Sequence, residues 1–480
     1  MINKRTKIIA TIGPASEKEA TLEKMARAGV NVARLNFSHG SYENHAMLIR
    51  RLRRVEKKIG RPLAIMQDIQ GPKIRLGVLP EAGLRLKTGG KIILTSEIKT
   101  YDGRRLPLDC SGLEKTLKSG DRILIDDGHA ELKIEKIKGR EIYCRVVEGY
   151  LLKSHKGLNF PDSRLAISIL SEKDKNDLRF GVKMGVDAIA LSFVHTAEEI
   201  RRTRQLIARY EKELKVKEKQ PIFIVAKIER NEALKNIDEI IEEADGVMVA
   251  RGDLAMETRM SEMPLVQKTI VDKAMKMIKP VIVATQMLDS MQNSRRPTRA
   301  EISDVANAVI DHADALMLSN ETAAGRFPVE TVRTMADIIS STEKSEYDNV
   351  DLYKEVHPHK SVSKAIAGIS GILASQVGAK AVLVASATGR TGRLVSRVRA
   401  ELPVFVGAET IRAMRQLCFS WGVRSFLLPR QKSVESLLKE FLKFIRKEKL
   451  VKKGDRVVVI TGEPVGKPGS TNLIEVREMK

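Results

Sequence analysis

The stretch FIVAKIERNEAL, residues 223–234, begins as a buried strand and then carries a lysine and a glutamate where apolar residues should continue. Residues 222–225 form an unbroken apolar run, which is typical of a parallel strand covered on both faces. Side chains alternate along a strand, so Lys227 and Glu229 point to the same side. The stretch therefore predicts a buried parallel strand that ends in a pair of charges.

Seven further apolar runs of this kind occur along the chain, and segments with helix signals separate most of them. Ser16 precedes two glutamates, Ser171 and Asp174 have capping-box spacing, and Gly29 and Gly185 lie where helices should stop. Eight strand–helix units in order predict an α/β fold, a (β/α)8 TIM barrel. The predicted strands are residues 7–13, 32–38, 63–69, 188–194, 223–229, 247–253, 281–287 and 315–321.

Two parts of the chain depart from this pattern. Residues 73–160 contain short alternating strands with Gly-Asp and Lys-Gly turns, which predicts an inserted small β-barrel lid domain. After the polar linker at 345–362, apolar runs again alternate with helical segments, which predicts an open α/β domain. The runs are 381–386, 404–408, 425–429 and 456–462.

We therefore expect three domains. The catalytic barrel comprises residues 1–72 and 161–345, the lid comprises 73–160, and a C-terminal α/β regulatory domain comprises 346–480.

The composition is that of a globular protein, with 42% hydrophobic and 30% charged residues among 480. No apolar run approaches the roughly 20 residues that cross a bilayer, and the N-terminal apolar run is too short for a signal peptide. We expect a cytoplasmic protein with no membrane partner. The three cysteines, Cys110, Cys144 and Cys418, have no metal-ligand spacing and predict neither a zinc site nor a disulfide framework.

The net charge of +23 admits nucleic acid, a membrane surface or anionic small substrates as partners. The basic residues are scattered over predicted helices such as 201–219 and 439–453, and aromatic residues make up only 4%. Few aromatic platforms are therefore available for stacking on single strands. A lysine-rich solvated surface is the favoured interpretation, with no nucleic-acid partner. A nucleic-acid-binding protein remains the alternative class, and steep salt-dependent binding to RNA without kinase activity would support it.

Polar side chains follow most of the predicted barrel strands, at the end where a (β/α)8 barrel builds its active site. Any single pair could be a structural salt bridge, but polar clusters on six strand ends that converge in space favour a functional site. Arg251 and Asp253 are expected on one face of the sixth strand. The residues are Arg34, Asn36 and Ser38; Asp68, Lys73 and Arg75; Lys227 and Glu229; Arg251 and Asp253; Thr285; and Ser319 and Glu321.

Glu229 and Asp253 come from adjacent predicted strands. Two carboxylates are the sparse ligand set that Mg²⁺ prefers, because this ion keeps waters and takes other ligands from the substrate. A nearby lysine and arginines suit charge that develops on phosphoryl oxygens or an enolate. The residues alone thus predict a metal-assisted reaction of a small phosphorylated or carboxylated substrate.

Nine stretches, in order along almost the whole chain, resemble pyruvate kinase. They are TKIIATIGPAS (6–16), ARLNFSHGSYENH (33–45), DIQGPKIRLG (68–77), SEKDKNDLRFGVKMGVDAIALSFV (171–194), VAKIERNEAL (225–234), DGVMVARGDLAME (245–257), ATQMLDSM (284–291), PTRAEISDVANAVIDHADALMLSNETAAGRFPVE (297–330) and PGSTN (468–472). The resemblance implies phosphoryl transfer from phosphoenolpyruvate to ADP, giving pyruvate and ATP in glycolysis, and a homotetramer. An aldolase or dikinase-like barrel would share the lysine–carboxylate–metal chemistry but lack the lid and the C-terminal domain.

The resemblance also implies roles for single residues. Glu229 and Asp253 would hold Mg²⁺ or Mn²⁺, and Lys227 would stabilise the transferring phosphoryl group and the enolate oxygen. Arg34 would contact the phosphoryl group. The backbone of Gly252 and Asp253, with the Thr285 hydroxyl, would bind the substrate carboxylate. Thr285 and Ser319 would support the water route that protonates the enolate.

On the nucleotide side, the resemblance assigns Arg75 to the phosphates, and Lys156 of the lid would reach the nucleotide phosphates when the lid closes. Asn36 and His39 would lie near the nucleotide. For His39, a structural hydrogen-bonding role is the alternative.

One position departs from the potassium-dependent members of the family, which carry a glutamate where this chain has Lys73. The residues matching their potassium ligands, Asn36, Ser38 and Asp68, are retained. A lysine ammonium is a tethered monovalent cation and could occupy the same electrostatic position. We therefore expect activity that needs Mg²⁺ or Mn²⁺ but no K⁺.

The stretch SATGRTGRLVSR, residues 386–397, follows a predicted strand and opens a helix. Backbone amides, hydroxyls and an arginine at a helix N-terminus can form a phosphate site, and the resemblance implies an effector phosphate at this position. We expect an allosteric site for a sugar phosphate or a nucleotide monophosphate such as AMP. An ordinary strand–helix turn without a ligand is the alternative. The expected effector residues are Ser386, Thr388, Gly389, Arg390 and Thr391.

Overall fold

The computed structural model of the protein describes residues 4–163, 169–349, 361–447, 451–463 and 471–479. Residues 350–360 of the predicted linker and 468–470 of the PGSTN stretch lie outside the described residues.

The strands are β1 (Lys7–Thr11), β2 (Val30–Asn36), β3 (Ala64–Asp68), β4 (Leu84–Arg85), β5 (Lys91–Thr95), β6 (Arg105–Pro107), β7 (Arg122–Ile125), β8 (Ala130–Lys138), β9 (Glu141–Glu148), β10 (Leu151–Leu152), β11 (Leu158–Asn159), β12 (Ala188–Leu191), β13 (Phe223–Ile228), β14 (Gly246–Ala250), β15 (Val281–Ala284), β16 (Ala315–Leu318), β17 (Ala381–Ala385), β18 (Val404–Ala408), β19 (Val423–Leu427), β20 (Arg456–Gly462) and β21 (Thr471–Glu478).

The α-helices are α1 (Glu19–Arg27), α2 (Tyr42–Ile59), α3 (Glu172–Met184), α4 (Ala197–Glu213), α5 (Asn231–Lys235), α6 (Ile237–Glu243), α7 (Arg251–Glu257), α8 (Met263–Lys276), α9 (Arg299–Ile310), α10 (Asn320–Ala323), α11 (Pro328–Thr342), α12 (Val362–Gln376), α13 (Arg390–Arg397), α14 (Ile411–Gln416) and α15 (Val434–Lys447). Short 3-10 helices cover Leu113–Lys115, Met260–Glu262, Asp289–Gln292, Glu346–Asp348 and Leu417–Phe419.

The eight predicted barrel strands close into one parallel barrel, in the order β1-β16-β15-β14-β13-β12-β3-β2. This confirms the predicted (β/α)8 fold. Residues that point inward, such as Ile9, Met66, Val225 and Met317, form one buried cluster that fills the barrel. A larger cluster lies between the outer faces of the strands and the surrounding helices. The inside of the barrel is therefore packed, and open space is left at its mouth.

Helix boundaries follow the predicted capping signals only in part. Ser171 and Asp174 form a reciprocal capping box, and Gly185 ends α3 in the left-handed conformation. Ser16 does not cap α1; the cap residue is Lys18, and the Ser16 hydroxyl accepts a hydrogen bond from the Gly13 amide. The Ser16 signal belongs to a turn that precedes the helix.

The helices predicted at 201–219 and 439–453 correspond to α4 and α15, and both begin earlier than expected. Helix α4 ends at Glu213, because the chain turns at Lys215, whose φ is 52°. Residues 448–450 lie outside the described residues.

The segment between β3 and α3 contains strands β4 to β11 and has a hydrophobic core of its own. Six of its strands form a sheet in the order β11-β7-β8-β9-β5-β6, and β10 pairs with β4. Most of the pairings are antiparallel, and β5 with β6 is parallel. This independently packed unit is attached at the mouth of the barrel.

The C-terminal part forms a five-stranded sheet in the order β19-β18-β17-β20-β21. Its first four strands are parallel and lie near the predicted runs. Strand β21 is antiparallel and was not predicted. The stretch TNLIEVRE forms a half-exposed edge strand, and its many polar residues hide the strand signal. No helix among the described residues is both long and apolar enough to cross a membrane.

Candidate active site

A cavity of about 180 Å³ lies at the carboxyl ends of the barrel strands. Ten of the predicted site residues line it, namely Arg34, Asn36, Ser38, His39, Asp68, Lys73, Arg75, Lys227, Glu229 and Asp253. It is also lined by Ile69, Gln70, Ser192 and Phe193, none of which the sequence reasoning singled out. The barrel thus gathers residues that are up to 219 positions apart in the chain around one small space.

Lys227 is the charged centre of this cavity. Its Nζ lies 2.8 Å from Glu229 Oε1 and 3.3 Å from Asp68 Oδ1. It also donates a hydrogen bond to Ser192 Oγ, 2.8 Å away. Burial alone would lower the pKa of this ammonium group, but the Asp68 and Glu229 carboxylates outweigh burial and raise the pKa above its ordinary value. Lys227 is therefore a permanent positive charge and a poor proton donor.

Glu229 is buried beside Lys227, and its Oε2 accepts a hydrogen bond from the Phe193 amide at 2.7 Å. Burial raises the pKa of Glu229, and the Asp253 carboxylate adds to this rise, while the Lys227 ammonium opposes it. The Asp253 carboxylate thus disfavours the charged form of Glu229. A cation between them would relieve this repulsion.

Asp68 and Arg34 form a second ion pair that lines the cavity. Arg34 Nε lies 2.7 Å from Asp68 Oδ2, and a second guanidinium nitrogen donates to Thr11 Oγ1 at 3.0 Å. Burial would raise the pKa of the Asp68 carboxyl, but Lys227 and Arg34 together hold it below its usual value. Asp68 therefore stays ionised and fixes both cations at the edge of the cavity.

Asp253 reaches the cavity from a helix, and the expectation that Arg251 shares its face is wrong. Strand β14 ends at Ala250, and α7 begins at Arg251, so the strand period of two does not apply. The Arg251 guanidinium turns away, pairing with Asp304 at 2.7 Å and donating to the Thr285 carbonyl at 2.7 Å.

Gly252 and Thr285 lie next to each other beside the cavity. The Gly252 amide donates to Thr285 Oγ1 at 2.9 Å, and Thr285 has a φ of 75°. Ser319 follows β16, where its amide donates to Glu321 Oε2 at 2.6 Å. Glu321 is buried and also accepts from the Leu288 amide, so it braces loops behind the site. Gly252, Thr285 and Ser319 are not among the residues that line the cavity.

Lys73 lies at the junction of the barrel and the inserted unit. Its ammonium is 3.7 Å from Asp253 Oδ1, so its ion pair is with the predicted metal carboxylate. Asn36, Ser38 and Asp68, at the expected monovalent-cation position, line the same cavity. The Asn36 side-chain oxygen accepts from the Ser38 amide at 3.1 Å.

Not all of the residues predicted to bind the nucleotide line the cavity. Arg75 and His39 line the cavity, whereas Lys156 does not and pairs with Asp126 inside the inserted unit at 2.7 Å. This hydrogen bond raises the pKa of Lys156. His39 is held through its backbone, since its carbonyl oxygen lies 2.9 Å from His45 Nε2.

The carboxylates fit the sparse ligand set of Mg²⁺. Among the described residues, no group of three or more His, Cys, Asp or Glu side chains could enclose a metal ion. Glu229 and Asp253 line one cavity and influence each other electrostatically. One or two protein carboxylates, with substrate oxygens and water completing the shell, is the ordinary arrangement for Mg²⁺.

The predicted effector residues line a second cavity of about 310 Å³ in the C-terminal sheet. Ser386, Thr388, Arg390 and Thr391 line this cavity, and Gly389 is the N-cap residue of α13, with a φ of 81°. The Ser386 hydroxyl accepts from the Thr391 amide at 3.1 Å, and the Thr391 and Thr471 hydroxyls are 2.8 Å apart. The helix N-terminus therefore opens onto a polar cavity.

Together, the fold and the site define a (β/α)8-barrel enzyme in which two lysines, two arginines and three carboxylates surround one small cavity. Two family models match the chain, described as the pyruvate kinase barrel domain over residues 3–332 and the pyruvate kinase alpha/beta domain over residues 364–477.

Similar proteins carry the same description over nearly the full length. Pyruvate kinase 2 of a Synechocystis strain is 40% identical, over 99% of this chain and 80% of the relative. The pyruvate kinase of Thermococcus litoralis is 38% identical, over 98% of each chain. A crystal structure of a pyruvate kinase from Cryptosporidium parvum matches with a TM-score of 0.93 at 32% identity, covering 100% of this chain and 97% of that one. The chain belongs to the pyruvate kinase family and is a phosphotransferase.

Proposed function

We propose that this enzyme transfers the phosphoryl group of phosphoenolpyruvate to ADP, in the cytoplasm, and that it requires Mg²⁺ or Mn²⁺. The observation that supports this proposal most directly is the cavity lined by Lys227, Glu229, Asp253 and Arg34. In the reaction an ADP oxygen bonds to phosphorus, the bond from phosphorus to the enol oxygen breaks, and the enolate takes up one proton to give pyruvate.

The cations of the cavity act on the charge that moves during transfer. Lys227 stays protonated because two carboxylates hold its proton, so it stabilises negative charge on the phosphoryl and enolate oxygens rather than donating a proton. Arg34 is oriented by Asp68 and offers its remaining donors to the phosphoryl group. Both charges are in position before the substrate binds, so little reorganisation is needed.

Glu229 and Asp253 would hold the divalent ion. When bound, such an ion supplies positive charge to phosphate and enolate oxygens. The backbone of Gly252 and Asp253, with the Thr285 hydroxyl, binds the substrate carboxylate, and Thr285 and Ser319 support the water route for the proton. Arg75, Lys156, Asn36 and His39 act on the nucleotide side, with Lys156 reaching it when the lid closes.

The test is a coupled assay of pyruvate and ATP formation from phosphoenolpyruvate and ADP. We expect activity with Mg²⁺ or Mn²⁺, loss with a chelator and recovery when the metal is restored. Conversion of phosphoenolpyruvate without ADP phosphorylation would favour the aldolase or dikinase-like alternative. Tight, salt-sensitive RNA binding with no kinase activity would favour the nucleic-acid alternative.

We further propose that K⁺ is not required, because Lys73 supplies a tethered monovalent charge. The cavity at the start of α13 binds a sugar phosphate or AMP as an effector, which the helix N-terminus and Arg390 support.

The enzyme assembles as a homotetramer. Exposed Met260 and Leu265, whose accessible fractions are 76% and 66%, offer apolar surface for a second copy. Light scattering should give about four times the protomer mass of 53.5 kDa.

A further inference from the structure

Ser192 joins the catalytic lysine to the segment through which the chain enters the inserted unit. It follows β12 directly and is 1% exposed. Its hydroxyl accepts a hydrogen bond from Lys227 Nζ at 2.8 Å and donates one to the Ile69 carbonyl at 2.7 Å. Lys227 is on β13 and Ile69 comes immediately after β3. The Ser192 hydroxyl therefore connects these two strands, which are not neighbours in the barrel because β12 lies between them.

The next residue holds the partner of Lys227. The Phe193 amide donates to Glu229 Oε2 at 2.7 Å. Phe193 has a φ of 56°, which a bulky residue rarely adopts. The Arg230 guanidinium lies 5.1 Å from the centre of its ring. The turn formed by Ser192 and Phe193 thus contacts both members of the Lys227–Glu229 pair.

Residues 69–71, which we term the outgoing segment, lie tightly against this turn. Gly71 has a φ of 68°, and a Cβ atom on it would lie 2.9 Å from Phe193 Cδ2 and 3.0 Å from Ser192 Cβ. A displacement of the outgoing segment would therefore press on the turn or pull away from it.

Asp174 holds the outgoing segment from the other side. Its Oδ1 accepts from the Gly71 amide at 3.0 Å, and its Oδ2 accepts from the Ser171 amide at 2.9 Å. Ser171 lies where the chain has returned to the barrel and α3 begins. One buried carboxylate thus ties the chain that leaves the barrel to the chain that comes back.

We propose that Ser192 is a positioning residue that couples the outgoing segment to Lys227, with Asp174 as the anchor of that segment. This inference rests on the proposed function and deepens it. Movement of the inserted unit at its root changes the position of Ile69, and the Ser192 hydroxyl transmits the change to the Lys227 ammonium. The catalytic charge is then in its working position only when the root of the lid is seated.

The experiment compares Ser192→Ala, Ser192→Thr, Asp174→Asn and the double variant Ser192→Ala/Asp174→Asn in the full-length enzyme. We expect Ser192→Ala to lower kcat about 10- to 100-fold, the range for a lost hydrogen bond to a charged group. The KM for phosphoenolpyruvate should change less than about threefold, because the charge is retained and only its position is lost. Ser192→Thr keeps the hydroxyl and should recover most of kcat.

The double variant measures coupling directly. If the two residues act through one path, the loss in the double variant is smaller than the product of the single losses. The proposal would be overturned if the loss in kcat of the double variant equalled the product of the two single losses. It would also be overturned if the kcat of Ser192→Ala were within about threefold of the parent value. Thr298→Ala is the matched control, since Thr298 caps α9 in the same kind of capping box away from the outgoing segment. Thr298→Ala should lower thermal stability, and its effect on kcat should simply multiply with that of Ser192→Ala when the two are combined.

A readout that does not need activity separates this inference from the proposed function. Hydrogen–deuterium exchange of the peptide spanning 65–73 should be faster in Ser192→Ala than in the parent, because the Ile69 carbonyl loses its partner. Unchanged exchange would overturn the proposal even in an active enzyme. A parent enzyme that lacks kinase activity but shows faster exchange in the variant would contradict the proposed function and leave the structural coupling supported.

Discussion

At the scale of single residues, the site depends on a buried cation that shares two carboxylates. Lys227 contacts Asp68 and Glu229, and their charges keep it protonated. A buried charge network gains little stability over apolar packing of the same volume, so its presence in the barrel mouth points to chemistry rather than to stability.

Replacing the lysine tests its electrostatic role. We expect Lys227→Met to lower kcat by about two to three orders of magnitude or more, as for loss of a major transition-state stabiliser. The melting temperature should also fall, because Glu229 and Asp68 lose a partner. Lys273→Met is the control, since it removes an exposed lysine that pairs with Asp238 at 2.6 Å. A Lys227→Met enzyme with near-normal kcat would remove Lys227 from the proposed mechanism.

Lys73 should make the enzyme independent of potassium. In sodium-only buffer we expect wild-type rates within about twofold of those in KCl, since the tethered ammonium supplies the monovalent charge. Lys73→Glu should lose about tenfold or more in sodium and recover with KCl, because a carboxylate there needs a cation. Initial rates in matched chloride salts provide the measurement. A large stimulation of the wild type by KCl would refute the prediction.

At the scale of elements, strand ends and helix starts decide which groups reach each cavity. The change from β14 to α7 at Arg251 sends its guanidinium to Asp304, while Asp253, two residues later, lines the cavity. In the C-terminal sheet, the change from β17 to α13 exposes a helix N-terminus with hydroxyls and Arg390 at a polar cavity. Both sites lie at the carboxyl ends of parallel strands, where such crevices form.

The cavity at α13 can be tested by binding. We expect Arg390→Ala to weaken the binding of AMP or a sugar phosphate about 10- to 100-fold, as one charge-assisted hydrogen bond is lost. Isothermal titration calorimetry with each ligand gives the change. Arg477→Ala, an exposed arginine of β21 that pairs with Glu475, is the control and should bind like the parent. Equal affinities in Arg390→Ala and the parent would contradict the assignment.

At the scale of the whole molecule, a buried lysine links the base of the barrel to the C-terminal sheet. Lys7 is 5% exposed, and its ammonium group donates a hydrogen bond to the Val423 carbonyl at 2.6 Å. The pKa of Lys7 is lowered to about 8, chiefly by burial; Arg424 and Arg61 add to the shift, while Cys418 and Glu343 oppose it. At neutral pH the charged form of Lys7 therefore lowers the stability of the folded protein.

The sign of the pH effect follows from proton binding. Below pH 8, Lys7 is protonated in the folded and the unfolded chain. Between pH 8 and 10.5 the folded state binds fewer protons at this site than the unfolded state, so the free energy of unfolding contributed by Lys7 rises with pH. The gain should be on the order of 1–3 kcal/mol.

Lys7→Met isolates this contribution. The free energy of unfolding is measured with denaturant at pH 7.5 and at pH 10. Its increase between these two pH values should be smaller for Lys7→Met than for the parent, even though the variant also loses the bond to Val423. Identical pH dependence in the two proteins would show that Lys7 is not the titrating group.

The eight barrel strands and the shared face of Lys227 and Glu229 could be predicted from the sequence, because burial on both faces and a period of two are local properties of a strand. The sequence also identified most residues that line the cavity at the mouth of the barrel, since a (β/α)8 barrel requires its strand ends to converge. The direction of Arg251 is clear only from the folded chain, because β14 ends at Ala250, three residues before the predicted end of this strand at 253. The folded chain alone revealed the contacts of Ser192 and Phe193 and the hydrogen bond from the Gly71 amide to Asp174, all of which join residues 35 to 123 positions apart in the chain. A hydrogen bond between distant segments leaves no periodic trace in the sequence, so only the folded chain shows which serine contacts Lys227 and which aspartate contacts the segment that leads into the inserted unit.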